Sequence, residues 1–371
     1  MQKASEGKQL EAMPCLQSDT ISVRNKSILD ESAVENTGNE LVSIGCMPQM
    51  INGICFQNDD LIDNHLFSKS YGHTLRCRAA DDIITDQEVQ SLSKLGLTVI
   101  QMLLKEGNFA KIYQAIHESG TDIIIKRSLI DGQSFAELES LKLFGNQITH
   151  KNIVRFFGYH HFGHHIYMFI EYANYGDLAE YLWRWCDSKD LNETTIYEIF
   201  SQICSGVEYM HLNGYAHRDL KLQNVLVFDI KNEDSLVYKL CDFGSSRRTL
   251  LQTDGSIKLS TTIVGSLRTM APEVAICEYN PIVADIYSLG VILYQLTHSG
   301  YYPFDLSPSV CSIKQKIKII TQMKMSFNSL IIKSSVSKHL NDMLVRLLDP
   351  ISSTRITLKQ VMSHPWFLSK H

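Results

Sequence analysis

Four polar residues in the middle of the chain are of types that can support the transfer of a charged group such as phosphoryl. The string HRDLKLQN contains Asp219, Lys221 and Asn224, and the string CDFG adds Asp242. Transfer of a phosphoryl group to a hydroxyl needs a carboxylate near the attacking oxygen, cations that bridge the phosphates, and oxygen ligands that hold those cations. Two carboxylates, an ammonium group and an amide can meet these needs, since magnesium prefers hard oxygen ligands. Any one of the four alone is equally consistent with a solvated loop charge.

These two strings, together with MAPEV at 270–274, resemble the signature set of the eukaryotic protein kinase family. The resemblance covers residues 97–371, nearly three quarters of the chain. A single motif could arise by chance, whereas the presence of several motifs in the order found in the family argues against chance. The resemblance implies an α+β, bilobal fold: a small β-rich N-lobe with one main helix, 97–172, and a larger helical C-lobe, 173–371.

The family's catalytic roles are carried over to five positions. By resemblance, Asp219 orients the substrate hydroxyl and accepts its proton, and Lys221 neutralises the transferring phosphate. Asn224 and Asp242 match the ligands of Mg²⁺, and Lys126, at the end of IIIK, matches the lysine that grips the α and β phosphates of ATP. Lys221 is typical of serine/threonine kinases, because tyrosine kinases usually place other residues there. The chain is therefore expected to phosphorylate serine and threonine hydroxyls of protein substrates.

The family pairs this lysine with a glutamate on the following helix, and two candidates are present. We expect Glu137, because it places apolar residues at the family's offsets, namely Leu138, Leu141 and Phe144. Glu139 is the alternative. The spacing of Ser134 and Glu137 also fits a helix capping box, which would use the same carboxylate at a helix start.

The expected hinge of the nucleotide pocket follows the strand IYMFI. By resemblance, backbone groups of Glu171 and Ala173 bind adenine, and Ile170 guards the back of the pocket. Asp177 matches an acid that contacts ribose or a basic substrate residue, although an acid in the first turn of a helix also favours the helix dipole. The family's second acid for basic substrates falls near Gln223, which is uncharged.

The loop that covers the phosphates departs from the family pattern. Of its three glycines the chain keeps one, Gly107, while Lys105 and Ala110 replace the others and Ile112 follows in the next strand. Glycine lets the backbone approach phosphate closely, so Lys105 is the larger change. Ile124 stands where the family commonly has a small alanine against adenine, and its extra carbons would narrow the pocket.

These departures leave an alternative open, a catalytically weak pseudokinase that acts as a binding scaffold. The intact set of catalytic residues argues against it. A metabolic small-molecule kinase fits less well, because such relatives rarely carry the MAPEV-type segment. Within the family, RFFGY and FIEYANYGDL look most like the checkpoint and calcium/calmodulin-dependent branches.

Arg218 directly precedes the predicted catalytic aspartate, and family members with this arginine often depend on a phosphate in the activation segment, which corresponds to Asp242–Glu273. Thr262 is the matching position, with Thr261 and Ser260 adjacent. An upstream kinase acting near Thr262 is therefore an expected partner, because a phosphate there would form charge-assisted hydrogen bonds with Arg218.

Further positions match the framework of the family. Glu273 is expected to pair with Arg355, and Asp285 to anchor the segment HRDLKLQN at 217–224, the catalytic loop of the family, since buried charges need partners. Ser266 stands where a threonine usually lies near the catalytic aspartate, and Thr269 replaces a common tyrosine.

The sequence pattern indicates the elements that must position these residues. TVIQMLL, KIYQAI and TDIIIK are short β-rich runs, and strands return at NIVRFFGY and HIYMFIEY. From Asp177 onward helices dominate, and one set of apolar residues recurs at helical spacing before a stop at Asn213-Gly214: Ile196, Ile199, Phe200, Ile203, Val207 and Met210.

Composition separates the first quarter of the 371-residue chain from the rest. Residues 1–96 hold 8 Lys+Arg against 14 Asp+Glu, and the remainder holds 27 against 26. We interpret 1–94 as a largely disordered acidic extension, and the neutral remainder gives no basic face for nucleic acid. The nine cysteines are scattered, which indicates reduced thiols, and the sequence shows neither a signal peptide nor a membrane span. These features predict an intracellular protein of the cytoplasm or nucleus, or both.

Two local patterns can be interpreted either as a functional site or as an ordinary surface segment. Four histidines around a predicted hairpin turn could bind zinc, but an exposed turn is the simpler interpretation: His160, His161, His164 and His165. A short stretch of the extension resembles a pseudosubstrate, or is an ordinary patch of a tail: Arg76, Arg78, Ala79 and Ala80.

Overall fold

The fold is taken from a computed structural model of the chain. It describes residues 84–106, 110–147, 150–185, 191–229, 236–275, 278–304, 321 and 335–369. All of them belong to the second of two units into which the chain divides, Pro48–His371. The candidate pseudosubstrate stretch and Gly107 lie outside the described residues, and so do residues 1–83 of the predicted extension.

The N-lobe contains a five-stranded antiparallel sheet in the order β1-β2-β3-β5-β4. Its strands are β1 (Leu97–Glu106), β2 (Ala110–His117), β3 (Asp122–Leu129), β4 (Phe156–Phe162) and β5 (His165–Glu171). Side chains alternate between the two faces of a strand, so Ile123, Ile125 and Arg127 of β3 are buried on one face and Lys126 lies on the other. The predicted hairpin turn after Phe162 joins β4 to β5.

A helix outside the predicted lobe packs against this sheet. Helix α1 (Asp86–Ser93) begins at Thr85, which forms a capping box with Glu88. Ile84 and Leu92 are buried together with sheet residues of one core cluster, among them Leu97, Tyr113 and Phe169. The prediction that disorder extends to residue 94 is therefore wrong for residues 84–94. The helix has only eight residues and few apolar side chains, so the segment is too short to show the helical periodicity of apolar residues.

Buried polar contacts hold α1 in place. The Glu88 carboxylate is 4% exposed and accepts hydrogen bonds from Arg127 Nη2 at 3.0 Å and Nε at 3.2 Å. The hydroxyl of Tyr167 also donates to it. His160 Nε2 lies 2.9 Å from Ser91 Oγ, so this histidine of the predicted turn contacts α1. The outer face of the sheet thus carries an ion pair covered by a helix.

Helices form most of the C-lobe, as predicted. In the described ranges they are α3 (Leu178–Trp185), α4 (Glu193–Leu212), α5 (Pro281–Thr297), α6 (Lys338–Leu347), α7 (Leu358–Met362) and α8 (Pro365–Leu368), and they follow α2 (Gly132–Leu141) of the N-lobe. The apolar residues predicted at helical spacing line the buried face of α4, and Gly214 ends it at φ 74°. Two short antiparallel pairs, β6 (Tyr215–Ala216) with β9 (Arg247–Arg248) and β7 (Val225–Phe228) with β8 (Val237–Leu240), flank the catalytic loop.

The predicted framework ion pair joins distant parts of the C-lobe. Arg355 donates to both oxygens of Glu273, with Nη1–Oε1 at 2.6 Å and Nη2–Oε2 at 2.9 Å. The side chain of Arg355 is fully buried, and its Nη1 also donates to the backbone carbonyl of Val283. Helix α5, which is buried along nearly its whole length, is thereby fixed to the segment that contains MAPEV. Within the described ranges no helix combines the length and the apolar character needed to cross a bilayer.

Candidate active site

Lys126 lies in a group of three charges, in which the side chains of Lys126 and Glu137 are largely buried and that of Asp242 is 45% exposed. Its Nζ is 2.5 Å from Glu137 Oε1 and 3.0 Å from Asp242 Oδ1. Burial alone would lower the pKa of the Lys126 ammonium, but the two carboxylates outweigh it and raise the pKa above its ordinary value. Lys126 therefore stays protonated at physiological pH and connects strand β3, helix α2 and the CDFG segment.

Glu137 is the partner of Lys126, and the prediction is confirmed. Helix α2 begins at Asp131, whose Oδ1 accepts hydrogen bonds from the backbone of Gln133 and Ser134 at 2.9 and 2.7 Å. The capping box thus uses Asp131, and the alternative of a box formed by Ser134 and Glu137 is wrong. The side chain of Glu137 is 6% exposed whereas that of Glu139 is 55% exposed. Residues two positions apart in a helix lie on nearly opposite faces, so only one of the two can face Lys126.

The catalytic loop brings its three polar residues into one hydrogen-bonded group. Lys221 Nζ lies 2.7 Å from Asp219 Oδ2, and Asn224 Nδ2 donates to the same oxygen at 3.2 Å and to the Asp219 carbonyl at 2.8 Å. Ser266 completes the group: its backbone N donates to Asp219 Oδ1 at 2.8 Å, and its Oγ accepts from Lys221 at 3.0 Å. These donors fix the direction of the Asp219 carboxylate.

The backbone of the loop is held from two sides. Asp285, 1% exposed, accepts hydrogen bonds from the backbone N of His217 and Arg218, each at 2.8 Å, as predicted. On the other side Gly265 has φ +93°, and a Cβ there would lie 2.3 Å from the Arg218 carbonyl oxygen. Only glycine allows this approach, so the end of the activation segment rests directly on the catalytic loop.

Asp242 has a left-handed backbone, with φ 60° and ψ 73°. Such a conformation is uncommon for a residue with a Cβ and persists where surrounding contacts determine it. Phe243 supplies them, since its buried ring packs 5.9 Å from Phe144 and 5.7 Å from His217. Burial alone would raise the pKa of the Asp242 carboxyl, but Lys126 holds the pKa below its ordinary value.

A cleft of about 690 Å³ opens beside these residues. It is lined by the predicted nucleotide-binding residues Ala110, Ile112, Ile124, Lys126, Glu137, Glu171, Ala173 and Asp177. Its volume falls within the range of small-molecule sites, roughly 300 to 1,000 Å³, so Ile124 does not close it. For Lys105 the structure describes the backbone alone, which pairs with Ile112. Val154 and Leu226 also line the cleft, and no motif indicated them in the sequence.

The protein kinase domain model matches residues 99–367, almost three quarters of the chain. The chain belongs to the protein kinase family. The matched residues contain all of the site, from β1 to α8, whereas α1 lies before them.

Several curated kinases are similar along most of this length. Serine/threonine-protein kinase SRK2H of Arabidopsis thaliana is 30% identical over 267 residues, which cover 71% of this chain and 70% of the relative. Serine/threonine-protein kinase SRK2B of the same plant is 31% identical, with 71% and 69% covered. CBL-interacting serine/threonine-protein kinase 8 is 33% identical over 289 residues, with 75% and 59% covered. The likeness to the checkpoint and calcium/calmodulin-dependent branches stays a prediction.

In this kinase the predicted hinge is joined by hydrogen bonds to the strand that leads to Asp242. The Glu171 carboxylate accepts hydrogen bonds from Lys239 Nζ at 2.8 and 2.7 Å and from the backbone N of Arg155 at 2.6 Å. Lys239 also lies 4.5 Å over the ring of Phe228. Both charged side chains are less than a fifth exposed. Sequence analysis missed Lys239, because its partner is 68 residues away and no local pattern joins them.

Asp177 has a structural contact as well as a place in the cleft. Its Oδ1 accepts a hydrogen bond from the backbone N of Glu180 at 3.0 Å, at the start of α3. The side chain is buried, with 9% exposed. The helix-terminus interpretation is therefore confirmed, and a contact with ribose stays a prediction.

Asn224 and Asp242 keep oxygens that fit a divalent cation. Asn224 donates through Nδ2, and the Asp242 carboxylate accepts through Oδ1, so within the described ranges Asn224 Oδ1 and Asp242 Oδ2 make no hydrogen bond. Magnesium is commonly held by one or two protein side chains and completed by substrate phosphates. The donor set fits that pattern. No group of three or more His, Cys, Asp or Glu able to hold a metal occurs in the described part of the chain, including the histidines near His160.

Proposed function

We propose that this kinase transfers the γ-phosphate of ATP to serine and threonine hydroxyls of proteins. One observation carries the proposal: Lys126, with its two carboxylates, and Asn224 line one cleft of nucleotide size, and Asn224 donates a hydrogen bond to the Asp219 carboxylate. The names of the similar kinases support the choice of serine and threonine. Lys221, which links Asp219 to Ser266, agrees with that choice.

Each residue of the site has a defined task in this reaction. Lys126, positively charged and fixed by Glu137, binds the α and β phosphates. Asp219 accepts a hydrogen bond from the substrate hydroxyl, orients its oxygen towards the γ-phosphorus and takes its proton. Lys221 offsets the charge of the transferring group. Asn224 and Asp242 would hold Mg²⁺, which when bound neutralises the charge of the phosphates.

The alternative of a catalytically weak scaffold rests on two positions. Ile124 lines the cleft and leaves its volume at about 690 Å³. The side chain of Lys105 lies outside the described residues. No observation in the described part of the chain therefore favours a scaffold over an enzyme.

Purified full-length protein tests the function directly. With Mg²⁺ and labelled ATP, we expect phosphoserine and phosphothreonine on a generic protein substrate, and no phosphotyrosine. Omission of Mg²⁺ is the matched control and should remove the signal, because the triphosphate charge is then not neutralised. Absence of transfer to every generic substrate, with ATP and Mg²⁺ present, would contradict the proposal.

An upstream kinase acting at Thr262 is part of the proposal. Arg218 is half-buried, and its Nη1 makes no hydrogen bond among the described residues although Nε donates to the Ser245 carbonyl at 2.7 Å. Tyr279 lies beside it and donates to the Thr262 carbonyl at 2.8 Å. Burial lowers the pKa of the Arg218 guanidinium, and the nearby Arg247 acts in the same direction. The negative charge of a phosphate on the exposed Thr262 would favour the charged form of Arg218 and so offset both the burial and the repulsion by Arg247.

Thr262→Ala is expected to lower the activity of a phosphorylated preparation by at least about fivefold, the lower end of typical coupling between sites. The loss should appear in kcat/KM after treatment with an activating kinase, and be absent after phosphatase treatment. Thr253→Ala is the matched control, since Thr253 is an exposed threonine of the same segment. Equal activity of phosphorylated wild-type and Thr262→Ala protein would place the switch elsewhere.

A further inference from the structure

The chain just before MAPEV lies directly beside the catalytic carboxylate. Ser266 contacts both Asp219 and Lys221, as described above. The Ser266 carbonyl then accepts hydrogen bonds from the backbone N of Thr269 at 3.0 Å and from its Oγ1 at 3.2 Å. Residues 266–269 thus form a tight turn with Leu267 and Arg268 at its centre. Any residue presented to Asp219 passes next to this turn.

Arg268 is an exposed cation that lies over an aromatic ring. Its guanidinium lies 4.9 Å over the ring of Tyr302, which reduces the side chain's freedom without neutralising its charge. Among the described residues no carboxylate lies within ion-pair distance of it, in contrast to Arg355, which is bound by Glu273. Among the described residues, the guanidinium of Arg268 therefore has no anionic partner, and Arg268 lies two residues from Ser266.

The surrounding segment is also positive. Residues 245–270 contain four Lys and Arg, against one acid, Asp254. That acid is occupied, because Asp254 Oδ1 accepts hydrogen bonds from both the backbone and the hydroxyl of Ser256. Within the cleft, Asp177 caps α3 and Gln223 is neutral, so neither provides a free carboxylate for a basic substrate residue.

We propose that Arg268 selects substrates with an anionic side chain, a carboxylate or a phosphate, close to the serine or threonine that is phosphorylated. The inference rests on the proposed function and names its substrate class. An extended peptide advances about 3.3 to 3.6 Å per residue, and a turn keeps its ends within roughly 7 Å. An anionic residue one to three positions from the target can therefore reach the guanidinium, which binds carboxylate or phosphate through two parallel hydrogen bonds.

A peptide library tests this selection with the full-length kinase. Each peptide carries one serine target and, at one position from three before to three after it, Glu, phosphothreonine, Ala or Lys. We expect wild-type kcat/KM to be higher for Glu than for Ala by roughly two- to fivefold at one or more positions, as for an exposed ion pair. Phosphothreonine should exceed Glu, because its charge is larger. A Lys at the same position should lower kcat/KM.

Charge reversal separates recognition from a merely structural role. In Arg268→Glu the preference should invert, with Lys peptides better than Glu peptides, whereas Arg346→Ala, which removes an exposed arginine of α6, should keep the wild-type profile. A wild-type profile without an anionic preference overturns the inference even if the Arg268 variant does not fold. An unchanged profile in folded Arg268→Glu also overturns it. Failure to phosphorylate any peptide would instead reject the proposed function, and the inference with it.

Discussion

Replacing Asp219 by asparagine is expected to slow phosphate transfer by about 10²- to 10⁴-fold, the range for loss of a general base. Asparagine keeps the shape of the side chain, and its Oδ1 can still accept the hydrogen bond that Ser266 donates to Asp219 at 2.8 Å. It has no charge to attract the proton of the substrate hydroxyl, and Lys221 loses the carboxylate 2.7 Å away. The effect should therefore appear in kcat and leave ATP affinity within about twofold.

Single-turnover kinetics and calorimetric ATP binding measure the two quantities separately. Asp254→Asn is the matched control, since Asp254 is an exposed aspartate of the activation segment that contacts Ser256. It should retain wild-type kcat. A kcat for Asp219→Asn equal to that of the wild type would show that Asp219 takes no part in the transfer. A large loss of ATP affinity would show instead that the variant changes the cleft as a whole.

Replacing Glu88 by alanine is expected to destabilise the kinase by about 3 to 5 kcal/mol, the cost of leaving the other member of a buried ion pair without its partner. Arg127 is 5% exposed and lies 3.0 Å from Glu88. Without the carboxylate, α1 loses its capping box and Arg127 becomes a buried charge whose main anionic partner is gone. Urea unfolding of the full chain, followed by tryptophan fluorescence and circular dichroism, measures the change.

Glu180→Ala provides the comparison at an exposed site. Glu180 pairs with Arg184 at 2.7 Å, and both side chains are more than two fifths exposed, so its loss should cost less than about 1 kcal/mol. Adding Arg127→Met to Glu88→Ala should recover part of the lost stability, because the uncompensated charge is then removed. Equal costs for Glu88→Ala and Glu180→Ala would contradict a buried ion pair on the outer face of the sheet.

The same carboxyl gives the stability a pH dependence. Burial alone would raise the pKa of Glu88, but hydrogen bonds from Thr85, Tyr167 and Arg127 outweigh it and hold the pKa below its ordinary value. The stabilisation is therefore fully present above the ordinary pKa of 4.5 and is lost as the pH falls through the lower folded pKa. Glu88→Gln should unfold with a flatter pH dependence below about pH 5.

The grouping of the candidate catalytic residues could be predicted from the sequence because the chemistry restricts residue types at short spacing. Asp219, Lys221 and Asn224 lie within six residues of each other, and the structure joins them by hydrogen bonds. Glu137 could be chosen over Glu139 because a buried helical face shows in the apolar residues around it. In both cases a local pattern determines which side chains meet.

Contacts that depend on the tertiary fold left no such pattern. Glu88 and Arg127 are 39 residues apart, and Glu171 and Lys239 are 68 apart. In the sequence, each of these four charged residues is equally consistent with an exposed position. Only their burial in the fold distinguishes them from ordinary surface charges. Helix α1 was missed for a related reason, since polar contacts with Glu88 rather than a long apolar face hold it to the sheet.

The alternation of β3 sets a limit on how far the chain can be shortened. Lys126 faces the cleft, and its neighbour Arg127 faces α1, so one strand serves the nucleotide site and the helix before the domain. The family match begins at residue 99, beyond the end of α1. A version of the protein cut there would contain every catalytic residue and still lack the cover of its sheet. We therefore expect the smallest independently folding piece to begin at or before Ile84, ahead of the boundary that the family match gives.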